Sequence, residues 1–97
     1  LYIKDNYKKK IFIKDLAKEI NMNEQYFCRF FKSVIGKSPL QYINEYRIKK
    51  SEELLKETDM NIMNICLECG FNNMGNFINT FKKQTGLTPM KYRKDNI

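Results

Sequence analysis

Four side chains spaced like one face of a helix carry the most informative chemistry in this sequence. Gln25, Cys28, Arg29 and Lys32 fall at i, i+3, i+4 and i+7, so a helix over this stretch presents them together. A glutamine carboxamide matches the N6/N7 edge of adenine, and a guanidinium matches the O6/N7 edge of guanine. Each good pair discriminates against a wrong base by about 1–3 kcal/mol. Cys28 is small enough to permit close approach to a partner; beside Arg29 its thiol is also a candidate redox-sensitive group, since a nearby cation favours thiolate. An ordinary wet helix face could carry the same residues. The stripe takes its meaning from what surrounds it.

A second stripe follows later in the chain, formed by Met74, Gly75, Ile78, Asn79 and Lys82. Asn79 has the groups to pair with adenine, and Ile78 has the methyls to meet a thymine methyl. Other chemistry is thin. Cys66-x-x-Cys69 has metal-like spacing, but no second pair and no histidine exists to complete four ligands. Without histidine, neither a Cys-His nor a Ser-His nucleophile can be assembled, so no enzyme, metal or cofactor is expected. Only a methyl-acceptor role for Cys28 would rescue catalysis. Three cysteines, odd in number and irregularly spaced, argue against a disulfide framework and for a reducing cytosol.

The elements that must position these stripes come from a repeat. Phe31-Lys32-Ser33-Val34-Ile35-Gly36-Lys37-Ser38-Pro39-Leu40-Gln41-Tyr42 returns fifty positions later as Phe81-Lys82-Lys83-Gln84-Thr85-Gly86-Leu87-Thr88-Pro89-Met90-Lys91-Tyr92. Each copy ends one helix at a glycine in the left-handed C-terminal position. It opens the next with Ser38 or Thr88 as N-cap and proline at the first helical position. The repeat extends backwards: Leu16 to Asn23 aligns with Ile65 to Asn72 at an offset of 49, and one extra residue near Asn73 restores the register. Each unit therefore reads as a short amphipathic helix, a turn at Asn21 or Gly70, and a second helix. Both turn residues tolerate positive φ. That is the helix-turn-helix pattern in duplicate. Cys66 stands opposite Ala17 and Cys69 opposite Ile20, which makes both cysteines small buried hydrophobes.

The whole chain reads as all-α, with seven helices and no strand candidate. The first is expected around Leu1–Tyr7, and Lys8-Lys9-Lys10 after it is a charge run that suits either a solvated loop or a DNA contact. Ile13, Leu16, Ala17 and Ile20 mark a second helix. Asn23 caps a third, with Phe27, Phe30, Phe31 and Val34 facing a core. Ser38 to about Lys56 reads as one uninterrupted helix, with Leu40, Ile43, Ile48, Ser51, Leu54 and Leu55 inward. Asp59 or Asn61 caps a helix carrying Ile62, Ile65, Cys66 and Cys69 on one stripe. Asn72 or Asn73 opens the next, with Phe77 and Phe81 inward, and Thr88-Pro89 starts the last. The divisions are residues 1–37 for the first helix-turn-helix half, 38–57 for a central linker helix and 58–97 for the second half. Lysine and arginine total 18 against 11 acids, and a net charge of +7 suits a polyanionic partner as well as a merely soluble surface. No stretch approaches a membrane span.

Leu16-Ala17, Tyr26-Phe27, Phe31-Lys32, Gly36, Tyr42, Arg47, Leu54-Leu55, Gly70-Phe71, Phe77, Phe81-Lys82, Gly86 and Thr88-Pro89 with Tyr92-Arg93 together resemble the DNA-binding domain of the AraC/XylS family. The likeness covers nearly the whole chain, and the closing Gly-x-Thr-Pro-x-x-Tyr-Arg run is its most specific part. It implies two helix-turn-helix halves joined by a long central helix, double-stranded promoter DNA as ligand, and regulation of transcription, usually activation. It also implies RNA polymerase as a partner, a separate sensing or dimerisation domain outside this chain, and a cytoplasmic, nucleoid-associated location. Positions matching Gln25, Cys28 and Arg29 are base-contacting in the family. Where family members often carry a strong donor this chain has Asn79, so the first half is expected to specify sequence and the second mainly to position.

Lys32, Lys37, Lys82 and Lys83, with the helix starts at Ser38 and Thr88, are candidate phosphate contacts. Ser38 and Thr88 serve equally as plain caps. The central helix, roughly 30 Å long, falls slightly short of the ~34 Å between successive major-groove faces. A rigid pairing of the halves would then bend the DNA or leave one recognition helix incompletely seated. The rival expectation is a basic helical protein-interaction module that meets an acidic partner and reads no sequence.

Overall fold

The computed structural model describes residues 17–18 and 20–95. Five helices run through them: α1 (Glu24–Ile35), α2 (Pro39–Glu57), α3 (Ile62–Glu68), α4 (Met74–Thr85) and α5 (Pro89–Asp95). No strand occurs among the described residues. The all-α class holds, and five of the seven expected helices lie among the described residues. The other two expected helices, at 1–7 and 13–20, lie outside the described residues except that Ala17 and Lys18 are helical and Ile20 sits in the following turn. The Lys8-Lys9-Lys10 run lies outside them as well.

Each boundary has a local cause, and the two copies of the repeat share it. Asn23 and Asn73 hold extended backbone, and their side-chain oxygens accept from the amides of Tyr26 (2.8 Å) and Asn76 (2.9 Å). Those amides would otherwise be orphaned at a helix start. α1 and α4 stop at Gly36 and Gly86, with φ of 86° and 87°, where a side chain would be strained. Ser38 and Thr88 then accept from the amides of Gln41 and Lys91, both at 3.2 Å, with Pro39 and Pro89 following. The tight turns match too. Asn21 (φ 57°) and Gly70 (φ 94°) let the amide of Met22 reach the Ala17 carbonyl and that of Phe71 reach the Cys66 carbonyl, at 2.9 and 3.0 Å.

Packing repeats the pattern. Phe27 and Phe31 lie 5.7 Å apart between ring centroids, and Phe31 meets Tyr42 edge-on at 5.6 Å. Phe77 and Phe81 lie at 5.9 Å, and Phe81 meets Tyr92 edge-on at 5.4 Å. One core gathers Ala17, Phe27 and Ile43, with Met22, Cys28 and Phe31 against it. The other gathers Ile48, Leu55, Ile65, Cys66, Cys69, Phe71, Phe77 and Phe81. α2 contributes to both, so the packing changes over between Ile43 and Ile48. Ser51 is fully buried on α2, and its hydroxyl donates to the Ile48 carbonyl at 2.6 Å, so the buried polar group is satisfied.

Three expected core residues are exposed instead: Phe30, Val34 and Leu40. Phe30 sits about 60° round the helix from Phe27, on the flank of the inner face. Val34 lies in the last turn of α1 and Leu40 in the first turn of α2, beyond the reach of the core around Phe27 and Ile43.

A feature with no counterpart in the first copy closes the far end of α2. Arg93 donates to the carbonyls of Leu55 (3.2 Å), Thr58 (3.1 Å) and Met60 (2.6 Å), the groups that α2 and its exit leave without helical partners. The guanidinium thus caps a helix C-terminus and ties α5 to the α2–α3 connection. The position equivalent to Arg93 is Ile43, a core residue.

Candidate nucleic-acid interface

The exposed side of α1 carries Gln25, Arg29 and Lys32, all open to solvent. The cap at Asn23 fixes the start of the helix, and Phe27, buried at 7% exposure, turns the stripe outward. Cys28 departs from the expectation. It is half-buried and packs against the first core, so only part of the residue faces the surface. The neighbouring flank holds a shallow hollow of about 470 Å³ lined by Tyr26, Arg29, Phe30 and Ser33. Tyr26 and Ser33 were not among the sequence candidates.

On α4 the equivalent stripe divides. Gly75, Asn79 and Lys82 are exposed, whereas Met74 and Ile78 are half-buried against the second core. Their apolar side chains are therefore committed in part to packing. Gly75 has a local reason as well: a Cβ there would stand 3.1 Å from the Asn73 side-chain oxygen that caps α4. Asn79 and Lys83 line a cleft of about 670 Å³ that α4 shares with the start and first half of α2, represented by Ser38, Gln41 and Asn44. Gln41 and Asn44 were missed from sequence, although a donor in the first turn after a Ser-Pro cap was a readable signal.

The candidate phosphate contacts fare unequally. Lys32, Lys82 and Lys83 are exposed near helix C-termini, where they also oppose the helix dipole. Lys37 is engaged: its ammonium lies 2.8 Å from Glu45 Oε1. Ser38 and Thr88 are caps, and their hydroxyls each accept an amide.

The remaining chemistry is structural. Burial pushes the Cys66 thiol up, away from the thiolate that a nucleophile or metal site requires, and the thiol points to the Phe71 carbonyl at 3.6 Å. Among the described residues no group of three or more potential metal ligands gathers. Arg47 is half-buried with its guanidinium 5.8 Å from the Phe71 ring centroid; burial lowers its pKa, and Cys69 opposes that shift. Lys56 stands 5.7 Å from the Tyr92 ring centroid, and its hydrogen bond and charge interaction with Tyr92 hold its pKa up. No described helix is long and apolar enough to cross a membrane.

A short helix (α3), a tight turn at Gly70 and a longer helix (α4), matched in the first half by helical Ala17–Lys18, a tight turn at Asn21 and α1, with α1 and α4 each exposing a polar stripe, define a helix-turn-helix protein. Comparison with known proteins agrees: a helix-turn-helix domain model matches residues 16–95. The uncharacterized HTH-type transcriptional regulator YdeC of Bacillus subtilis (strain 168) is 36% identical over 91 residues, covering 94% of this chain and 31% of YdeC. The melibiose operon regulatory protein of Escherichia coli (strain K12) is 36% identical over 93 residues, covering 96% of this chain and 31% of that protein. Among solved structures, the DNA-binding domain of AdpA in complex with a target DNA superposes with a TM-score of 0.90 at 26% identity, covering 97% of this chain and 84% of that one. The chain belongs to the AraC/XylS family of helix-turn-helix DNA-binding domains. It spans about a third of the length of the curated relatives it matches.

Proposed function

We propose that this chain binds double-stranded promoter DNA in a sequence-specific way, inserting α1 and α4 into successive major grooves, and that it activates transcription through RNA polymerase. The reading divides the chain at residues 1–37, 38–57 and 58–97, with α2 as the linker. The observation that carries it is the paired exposure of Gln25 and Arg29 on α1 and of Asn79 on α4, each helix held by the same cap, glycine stop and aromatic packing. Gln25 and Arg29 read bases; Asn79 reads more weakly, and Gly75 lets the backbone of α4 approach. Cys28, Met74 and Ile78 contribute contact surface only from their exposed parts. Lys32, Lys82 and Lys83 neutralise phosphates, with the helix starts at Ser38 and Thr88 as further phosphate contacts, while Lys37 is held by Glu45.

The long axis of the molecule, 45 Å, accommodates two groove contacts about 34 Å apart. The 19 residues of α2 span only about 28 Å, so a bend in the DNA is part of the proposal. Selection of duplexes from a random pool, followed by fluorescence anisotropy across a salt series, tests it. A selected site should be preferred over random DNA, and log K should fall with log salt at a slope of about −3, close to one unit for each phosphate neutralised by Lys32, Lys82 and Lys83. Equal binding to both pools at every salt concentration would refute the reading. Exposed Tyr26, Phe30, Val34 and Leu40 favour the rival, a protein-interaction module, and that result would select it.

A further inference from the structure

Glu45 occupies the changeover point of α2, between Ile43 of the first core and Ile48 of the second. Two contacts converge on it from opposite halves. Its Oε1 accepts from the ammonium of Lys37, in the α1–α2 connection, at 2.8 Å. Its backbone carbonyl accepts from the side-chain amide of Gln84, in the last turn of α4, at 3.3 Å. Its other carboxylate oxygen is buried and finds no partner among the described residues. A carboxylate with one unpaired buried oxygen is a poor way to add stability. The contact made by the paired oxygen is therefore better read as positioning than as stabilisation. The residue also lies in the cleft between α2 and α4, with Asn79 and Lys83 along the same wall.

The geometry points to Glu45 and Gln84 as positioning residues that fix the pose of one recognition helix relative to the other, and so set the half-site spacing the protein accepts. The inference rests on the reading of the chain as a two-site DNA binder. A rigid connection between two binding elements gives a high effective concentration at one span and little at others, whereas a loose one tolerates several. Lys37 holds α2 to the end of α1, and Gln84 holds it to the end of α4. With both in place the two stripes move as one body. Breaking either contact leaves both cores filled, both stripes intact and both helices packed on α2, but widens the range of angles between them.

Two measurements test it on the whole chain, using Glu45→Ala and, because its side chain is exposed and adds little to the fold, Gln84→Ala. In the first, nitroxide labels on Ser33→Cys and Lys82→Cys, in a Cys28→Ser background, report the distance between α1 and α4 without DNA. One narrow distribution is expected with the contacts intact and a broadened one in each variant. An unchanged distribution overturns the inference. In the second, affinity is measured for the selected duplex and for versions one base pair shorter and longer between half-sites. The penalty for wrong spacing should fall from roughly 100-fold to about 10-fold or less in the variants, while affinity for the right spacing changes little. A broadened distribution with an unchanged spacing penalty overturns the specificity role. If the parent chain selects no duplex at all, the DNA reading fails on its own, and the distance measurement still decides whether Glu45 and Gln84 hold the halves.

Discussion

Phe27 and Phe77 occupy equivalent places in the repeat, as do Phe31 and Phe81, yet the two halves bury them differently. Phe77 and Phe81 are fully enclosed, whereas Phe27 retains 7% exposure and Phe31 is half-buried. Further along the same face, Phe30 and Val34 lie open where the second half has Thr80 and Gln84 turned toward the cleft with α2. The polar faces run the other way. The first half shows solvent a carboxamide and a guanidinium at the reading positions, while the second shows Asn79 and a glycine and commits Met74 and Ile78 to its core. One local plan, down to matching caps and stops, thus serves two ends. The second half is the better enclosed. The first exposes the side chains to which the proposed reading assigns the stronger base pairing.

The division of labour can be tested directly, and the largest effect belongs to the cores. Phe81→Ala should cost about 3–5 kcal/mol of unfolding free energy by chemical denaturation, and Phe31→Ala distinctly less, because a half-buried ring leaves a smaller cavity. Equal costs would mean that the two halves are equally well packed. Arg93→Ala comes next. It strips the carbonyls of Leu55, Thr58 and Met60 of their donor and should cost about 2–3 kcal/mol in the same measurement. Arg93→Lys should recover little, since an ammonium cannot span three carbonyls as a planar fork does.

The reading positions follow. Arg29→Ala should lower affinity for the selected site by about 1–3 kcal/mol with little change for random DNA, and Asn79→Ala should do less. A larger loss at Asn79, read by competition anisotropy, would reverse the assignment of reader and positioner. The smallest effect is expected where the first half departs from the second without packing to show for it. Val34→Gln, which copies Gln84, should shift stability by less than about 0.5 kcal/mol, because Val34 is 67% exposed. A substantial loss in thermal melts would show that this face is covered in solution.

Much of the fold could be read from residue types alone. Asn23, Asn73, Ser38 and Thr88 cap helices, Gly36 and Gly86 stop them, and Asn21 and Gly70 make the tight turns, because each device acts within a few residues of itself. The same holds for Gln25 and Arg29, whose exposure follows from the burial of Phe27. Periodicity misled where the outcome depended on what lies across the helix. Phe30, Val34 and Leu40 have the right spacing for a core but join neither core among the described residues. Cys28, Met74 and Ile78 have spacing for a surface yet rest partly on one. Lys37 looked free for a phosphate until Glu45, eight residues on, was brought to its ammonium.

The amino-acid sequence by itself determined most of the described helix boundaries, the duplicated turn and the candidate reading stripes, since these rest on backbone dihedrals and hydrogen bonds between near neighbours. That Asn61 rather than Asp59, and Asn73 rather than Asn72, caps its helix came from the structure. Only the tertiary structure decided which apolar side chains were buried, that Arg93 closes the end of α2, and that Glu45 is met by Lys37 from one half and Gln84 from the other. Arg93 and Gln84 act across 33 to 39 residues of chain. Contacts over such separations depend on how helices cross, and no local pattern encodes a crossing.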